Sequence, residues 1–543
     1  MWYTVTEKEI VVMRKINALL AIACIALATT GCKNIDLNPI SQEEATKPDS
    51  QEVEEVSQQT SSIRPEIYTA KEYIYEPALE DGEYADSYLT GYYDNYVLSP
   101  ETKEAYPSLA ETFESTMKAR NEEYAEMQDE YLDASKQLRE SGEVHTFILE
   151  SELFMRRADE KVISFVDQIT DYAAGAHGFT GYKSYSFDVQ TGKKISLEDI
   201  VTDKDAFQSK LAETLTAKYG KNKVYDVDKA LSEMSLEEYK WAFDSNGVTF
   251  YFANDIAAYA AGVLTVNLPY DSTFFTQDYV LDSKVGYISE IPLYFPDSDH
   301  LDIVDGDDDG ITITPNYDPN NPDLFYIESV TISKDGQTFT TDDMYIWNVD
   351  AFIIHMPDGT ENLMVMTTGD SDYNCSYVYS IDGKIQQLSN DYFDLGNAGT
   401  TDDYYEIVPT DPTNVAFASR FDMLCTFDGT RYYSFESDGT FTPLEKFYKA
   451  MISKQCDLIS KVELTVPVVD EAGEETGETV TLPAGEAYSI IRTNGTDEVD
   501  CTIKDGRIIR FYLEDPLGEG YISDIQINGM DAEDIFEMLW YAG

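Results

Sequence analysis

Asp305-Gly306-Asp307-Asp308-Asp309-Gly310 is the stretch whose chemistry is easiest to name. Carboxylates at positions 1, 3 and 5, with glycine at 6 for a sharp turn, match the opening of a calcium loop, where a hard cation needs several oxygen ligands brought close. Position 12 is Asn316, where an EF-hand has a bidentate glutamate. The pattern therefore predicts a shorter calcium loop on Asp305, Asp307 and Asp309, not an EF-hand. Asp370-Ser371-Asp372-Tyr373-Asn374 repeats the spacing, with Cys375 in place of the glycine. The plain alternative for both is a solvated acidic turn.

Catalytic patterns are scarce. His145, His177, His300 and His355 stand far apart, and no pair has the H-x3-H or H-E-x-x-H spacing of metal ligands. No G-x-S-x-G elbow and no phosphate loop ending in Gly-Lys-Ser/Thr is present. His177, in the turn Gly175-Ala176-His177-Gly178, is a candidate contact residue, although histidines there more often fasten the turn itself. Paired carboxylates for glycoside cleavage carry no signal in so acidic a chain. The expected class is a non-enzyme.

Cys32 carries a different chemistry. Met13-Arg14-Lys15 gives a positive start, Ala18 to Ala28 is apolar, and Thr29-Thr30-Gly31-Cys32 closes the run with small residues. That order is the signature of a secretory signal peptide, and the run is short for a membrane span of about 20 residues. The Gly31-Cys32 junction resembles the lipobox of bacterial lipoproteins, with Thr29 where that family usually has leucine. The resemblance implies lipidation of Cys32, cleavage after residue 31, and a lipid anchor on the outer face of the cell membrane. Met13 is read as the start.

The chain has 543 residues and a formal charge of −64. Residues 1–31 hold three basic and two acidic side chains, so the processed chain keeps 35 and 100, a charge of −65. Such a chain repels nucleic acid and anionic lipid, and it attracts cationic partners or divalent metal. With 43% hydrophobic residues and 40 tyrosines it is a folded protein. Four cysteines remain, Cys375, Cys425, Cys456 and Cys501, able to form two disulfides in three connectivities.

Residues 33–62 are rich in Glu, Ser, Gln and Thr and read as a flexible tether, with 32–62 forming the acidic linker. A helix is predicted over Pro107–Ser141, opened by Pro107 and stopped by Gly142. Its stripe Met117, Tyr124, Tyr131 and Leu138 should pack on a sheet or neighbouring helix. Strands are predicted at 144–149, 162–166, 185–189, 248–252 and 263–268. A further helix runs from a cap at Asp203 to Lys218, preceded by a capping box on Ser196 and Asp199. Asp-Gly pairs at 335, 358, 382, 428 and 438 predict hairpin turns, where both central positions need positive φ. Short helices are predicted at Leu444–Ser453 and Ala532–Leu539.

The run Phe187-Asp188-Val189-Gln190-Thr191-Gly192-Lys193-Lys194-Ile195-Ser196-Leu197-Glu198-Asp199-Ile200 resembles a signature of the RsiV-like (DUF3298-like) extracellular domain. So do Gly247-Val248-Thr249-Phe250-Tyr251-Phe252, Asp255-Ile256-Ala257-Ala258-Tyr259-Ala260-Ala261-Gly262 and Leu268-Pro269-Tyr270. The resemblance spans about 85–295. In that family the module binds lysozyme in anti-sigma factors, and related modules precede peptidoglycan deacetylase domains. It implies an α+β domain over 63–298, helices on an antiparallel sheet, and a non-catalytic partner such as lysozyme or cell-wall peptidoglycan. With at most twelve residues before Met13, a sigma-factor-holding domain is not expected. Cys425-Thr426-Phe427-Asp428-Gly429-Thr430 resembles the deacetylase metal motif but lacks its second aspartate, and no histidine follows residue 355; it reads as a hairpin turn. The rest is expected to be mainly β: a meander, propeller-like, over 299–445, then a domain over 446–543 similar to small SH3-like barrels.

Overall fold

The structure, a computed structural model, describes residues 63–76, 87–142, 145–175, 178–221, 224, 226–252, 256, 262–281, 284–297, 300–304, 311–317, 327–341, 346–369, 374–399, 404–451, 457–514 and 525–541. Cys32, His177, Asp305, Asp307, Asp309, Asp370, Asp372 and Cys456 lie outside the described residues. Residues 62–543 form one compact, mostly β unit.

The first sheet holds β1 (Ile67–Glu76), β2 (Leu89–Leu98), β3 (Phe147–Ala158), β4 (Val162–Tyr172) and β5 (Phe179–Asp188) in that order. β2 and β3 run parallel and the other pairs antiparallel, which corrects the purely antiparallel sheet expected. A parallel neighbour needs a long crossover. Here it is α1 (Pro100–Ala105) followed by α2 (Pro107–Glu140). Pro107 starts α2, and Leu109, Phe113, Met117, Tyr124 and Tyr131 lie buried on one side against the sheet. The heptad stripe therefore packs on strands, as expected.

Between β5 and the next sheet stand α3 (Leu197–Ile200), α4 (Lys204–Tyr219), α5 (Val227–Glu233) and a small sheet of β6 (Lys240–Phe243), β7 (Gly247–Phe252) and β8 (Leu264–Pro269). Ser196 and Asp199 make the expected capping box, and Asp203 Oδ1 accepts from Ala206 N at 3.0 Å. Phe207, Leu211 and Leu215 of α4 share a core with Trp241, Phe250 and Val266.

β9 (Tyr287–Glu290) and the strands from Leu293 to Asp391 form a second, ten-stranded sheet, and an eleven-stranded third sheet runs from Asp394 to Tyr512. The Asp335-Gly336 turn has both φ values positive, 49° and 76°, as a two-residue hairpin loop demands. Asp358-Gly359, Asp382-Gly383 and Asp438-Gly439 also sit between paired strands. Asp428-Gly429 does not: it lies inside the strand Cys425–Phe435, opposite Arg420 and Ser419. The turn falls instead at Leu424, with φ 53°.

The helix expected at Leu444–Ser453 is replaced by the strand Tyr448–Met451, because Tyr448 packs its ring 4.8 Å from Phe421 and tertiary packing overrides helical propensity. The terminal helix ends at Ile535, and Phe536 bridges to Ser460. Among the described residues the sheets are not closed into barrels. Pairing also crosses the expected divisions. Strand Tyr404–Ile407 hydrogen-bonds to β1, β9 joins the second sheet, and Tyr448–Met451 joins strands on either side of residue 445.

Candidate functional site: an acidic, tyrosine-walled groove

One face of the first sheet packs on α2, and registry fixes what the other face carries. Lys71 lies opposite Asp94, Tyr73 opposite Tyr92, and Tyr92 beside Glu150, which pairs with Thr170. Phe154, Val166 and Tyr182 on the same face are buried against the small and second sheets. Beyond them the face opens into a groove of about 420 Å³ lined by Tyr73, Tyr75, Thr90, Gly91, Tyr92, Thr146 and Glu150.

Beside Tyr92 of the groove wall the Lys71 ammonium stands 3.4 Å from Glu152 Oε1, 3.8 Å from Asp94 Oδ1 and 4.4 Å from the Tyr92 ring centroid. Its side chain is 38% exposed, against 8% for Asp94 and 12% for Glu152, so solvent reaches the lysine while the acids are sunk beneath it. Asp94 Oδ2 accepts from Leu153 N at 3.0 Å, whereas buried Oδ1 accepts no hydrogen bond. Glu290 of β9 accepts from Met155 N at 3.3 Å, and Asp350, Asp394 and Glu406 close the cluster electrostatically from later strands.

Burial disfavours the charged form of each acid. It pushes Asp94 up to about 7 even against Lys71, Asp350 up to about 6, and Glu406 up to about 7 with Asp394 and Asp350 adding repulsion. Glu290 is raised well above the ordinary range by burial and then by Asp350 and Glu152, and Glu150 and Glu152 are raised by burial. Burial also opposes the Lys71 charge, but Asp94, Glu152 and Asp350 outweigh it and its proton is held more tightly than usual. From behind the sheet Arg120 of α2 grips the Asp94 carbonyl at 2.5 Å while pairing with Asp167 at 2.7 Å, which ties the long helix to β2 and β4.

The arrangement suits cations: concentrated negative charge, aromatic faces and an open mouth. The sequence candidates are placed elsewhere or outside the described residues. Asn374, the described residue of the second calcium-like run, donates from Nδ2 to Asp394 Oδ2 at 2.6 Å. Among the described residues no set of His, Cys, Asp and Glu is gathered as metal ligands. His355 hydrogen-bonds through Nδ1 to Glu361 at 3.1 Å and stacks on Tyr287 at 4.2 Å, holding together three strands of the second sheet. Among the described residues Cys375 and Cys501 are free thiols, and Cys425 and Cys501 are fully buried.

Residues 198–271 match the family described as protein of unknown function (DUF3298). This segment holds most of α3, then α4, α5 and the small sheet; the groove is built by strands outside it. Two solved structures of DUF3298 proteins are similar. One from Bacteroides fragilis has 20% identity and a TM-score of 0.30, covering 39% of this chain and 94% of its own. One from Pseudomonas aeruginosa has 16% identity and a TM-score of 0.30, covering 41% and 99%. No curated protein matches the chain.

Proposed function

We propose that this chain is a non-catalytic binding protein of the cell envelope, lipid-anchored at Cys32, whose partner is a cationic protein such as lysozyme. The observation that carries the reading is the open tyrosine-walled groove with Glu150 in its lining, beside which Asp94 and Glu152 pair with the Lys71 ammonium over the Tyr92 ring. A charge of −64 on the chain steers a basic partner toward it and raises the association rate. The RsiV-like signature over 187–270 supports lysozyme as the partner to test. Among the described residues no helix is long and apolar enough to cross a membrane, so the anchor rests on the sequence around Cys32.

A second reading is a cell-wall glycan, favoured by Tyr73, Tyr75 and Tyr92, whose amphipathic rings offer apolar faces beside polar groups. Calorimetric titration of the full chain with lysozyme, at low and moderate salt and with or without calcium, separates these. Saturable one-to-one binding that survives moderate salt supports the proposal. Heat abolished by modest salt, together with saturable binding of peptidoglycan fragments, moves the reading to the glycan.

A further inference from the structure

Asparagine followed by glycine carries a chemistry of its own, because glycine's unhindered backbone lets its nitrogen reach the preceding side-chain amide. The chain has three such pairs, Asn246-Gly247, Asn494-Gly495 and Asn528-Gly529, and the fold treats them differently. At Asn494 the side chain is fully engaged. Its Oδ1 accepts from Thr496 N at 2.8 Å and from Asp497 N and Glu498 N at 3.0 Å each, and its Nδ2 donates to Asp497 Oδ1 at 2.9 Å. Gly495 N donates to Thr493 Oγ1 at 3.0 Å. Asn246 is exposed, but Gly247 is buried at the start of β7, where a Cβ would lie 2.1 Å from the Leu268 carbonyl oxygen. In both places the glycine is held away from the amide.

Asn528-Gly529 is different. The strands Gln526–Ile527 and Met530–Asp531 pair Ile527 with Met530, so the two residues between form a tight hairpin loop, with φ of 54° and 70°. Both are exposed, and the Asn528 side chain makes no hydrogen bond among the described residues. Gly529 N donates to Glu514 Oε1 at 3.2 Å, so a carboxylate already touches the proton that must leave when this nitrogen attacks. We propose that Asn528 is a self-modification site of the chain, which water converts to aspartate and isoaspartate through a cyclic imide, with Glu514 as the proton acceptor.

Gly529 N passes its proton to Glu514 and bonds to Asn528 Cγ. The Cγ–Nδ2 bond breaks, and Nδ2 takes up that proton and leaves as ammonia. A water molecule then opens the imide. Opening at one carbonyl gives aspartate; opening at the other routes the main chain through Cγ and lengthens the loop by an atom. A tight loop with both φ values positive is defined by its length, so the extra atom disrupts it. Ile525 and Ile527 before the loop, and Ala532, Ile535 and Phe536 after it, share a core with Tyr488 and Phe511, so modification loosens the strand pair that carries them.

The test ages the full chain at about pH 8 and about pH 6, native and in urea, and maps each Asn-Gly peptide by mass spectrometry, where conversion adds about 1 Da. Expected in the native chain is conversion at Asn528 about fivefold or more faster than at Asn246 and Asn494, quicker at the higher pH, with isoaspartate among the products. In urea the three rates should converge. Glu514→Gln should slow conversion at Asn528 by about threefold or more with the near-UV circular dichroism unchanged. Aged wild type should melt lower than fresh protein, whereas Asn528→Gly, which still suits a loop of positive φ, should hold its melting temperature on ageing. Equal native rates at the three sites, or aspartate formed without isoaspartate, would overturn the proposal. A rate unaltered by Glu514→Gln would overturn the role given to Glu514.

Discussion

At Lys71 burial and charge pull in opposite directions, and the carboxylates win. The expected consequence is that Lys71→Met lowers the melting temperature more at about pH 8, where the surrounding acids ionise, than at about pH 5, where protons replace the lost ammonium. Scanning calorimetry at the two values checks this. Glu361 behaves in the opposite sense. Its hydrogen bond from His355, with Lys334 at 3.1 Å, holds its carboxyl down to about 2. A depressed carboxylate contributes stability that is present above its ordinary value of 4.5 and lost as pH falls toward 2. Glu361→Gln should therefore lower stability at neutral pH and flatten the acid limb of the unfolding curve. An unaltered acid limb would show that the pair contributes nothing. A local signal of the groove acids is present in the sequence: Asp350 interrupts Ile346-Trp347-Asn348-Val349-Asp350-Ala351-Phe352-Ile353-Ile354, and Asp94 and Glu152 likewise stand in strand-forming runs. A charged residue in an apolar strand asks for a partner. Which acids meet could not be read, because Lys71, Glu290 and Glu406 come together only through long-range pairing.

Among the elements, α2 does the most to shape the groove, since it covers one face of the first sheet and leaves the other free. Its Arg120 is almost fully buried and bonds Asp167, Ser151 and the Asp94 carbonyl. Arg120→Met leaves Asp167 buried without its cation and should cost about 3–5 kcal/mol in chemical denaturation. Adding Asp167→Leu to the same chain should recover much of that loss; failure to recover would locate the cost in packing. Gly192 adjoins the helix start. Its φ is +70°, and a Cβ would lie 2.4 Å from the Ser108 carbonyl carbon, so Gly192→Ala should destabilise through strain and clash. Proline, glycine and the apolar period located α2, α4 and most Asp-Gly hairpins. The same rules failed at Asp428-Gly429. There Gly429 is needed for space, a Cβ meeting the Phe421 ring and Tyr448 Cβ at 2.9 Å each. Local pattern does not distinguish a glycine that turns from a glycine that makes room.

For the molecule as a whole, the groove acids and the net charge of −64 act in the same direction. Carboxyls whose folded-state values are raised bind more protons folded than unfolded, so stability falls as pH rises from about 4 through about 7. General repulsion adds to the fall but is screened by salt, whereas the buried acids are screened much less. Melting temperature should therefore drop between about pH 5.5 and about pH 8 even in high salt, and Asp94→Asn with Glu406→Gln should reduce that drop. The broad division into an α+β start and a β-rich remainder was legible from hydrophobic period and turn residues. The pairing of Tyr404–Ile407 with β1 was not, because a contact between segments so far apart leaves no mark in sequence. The most direct test of the central claim is the affinity of lysozyme for the full chain and for a variant carrying Glu150→Gln and Glu152→Gln, at one pH and moderate salt. A groove that receives a cationic partner predicts a loss of about tenfold or more in the variant. Equal affinities, with both chains folded, would contradict it.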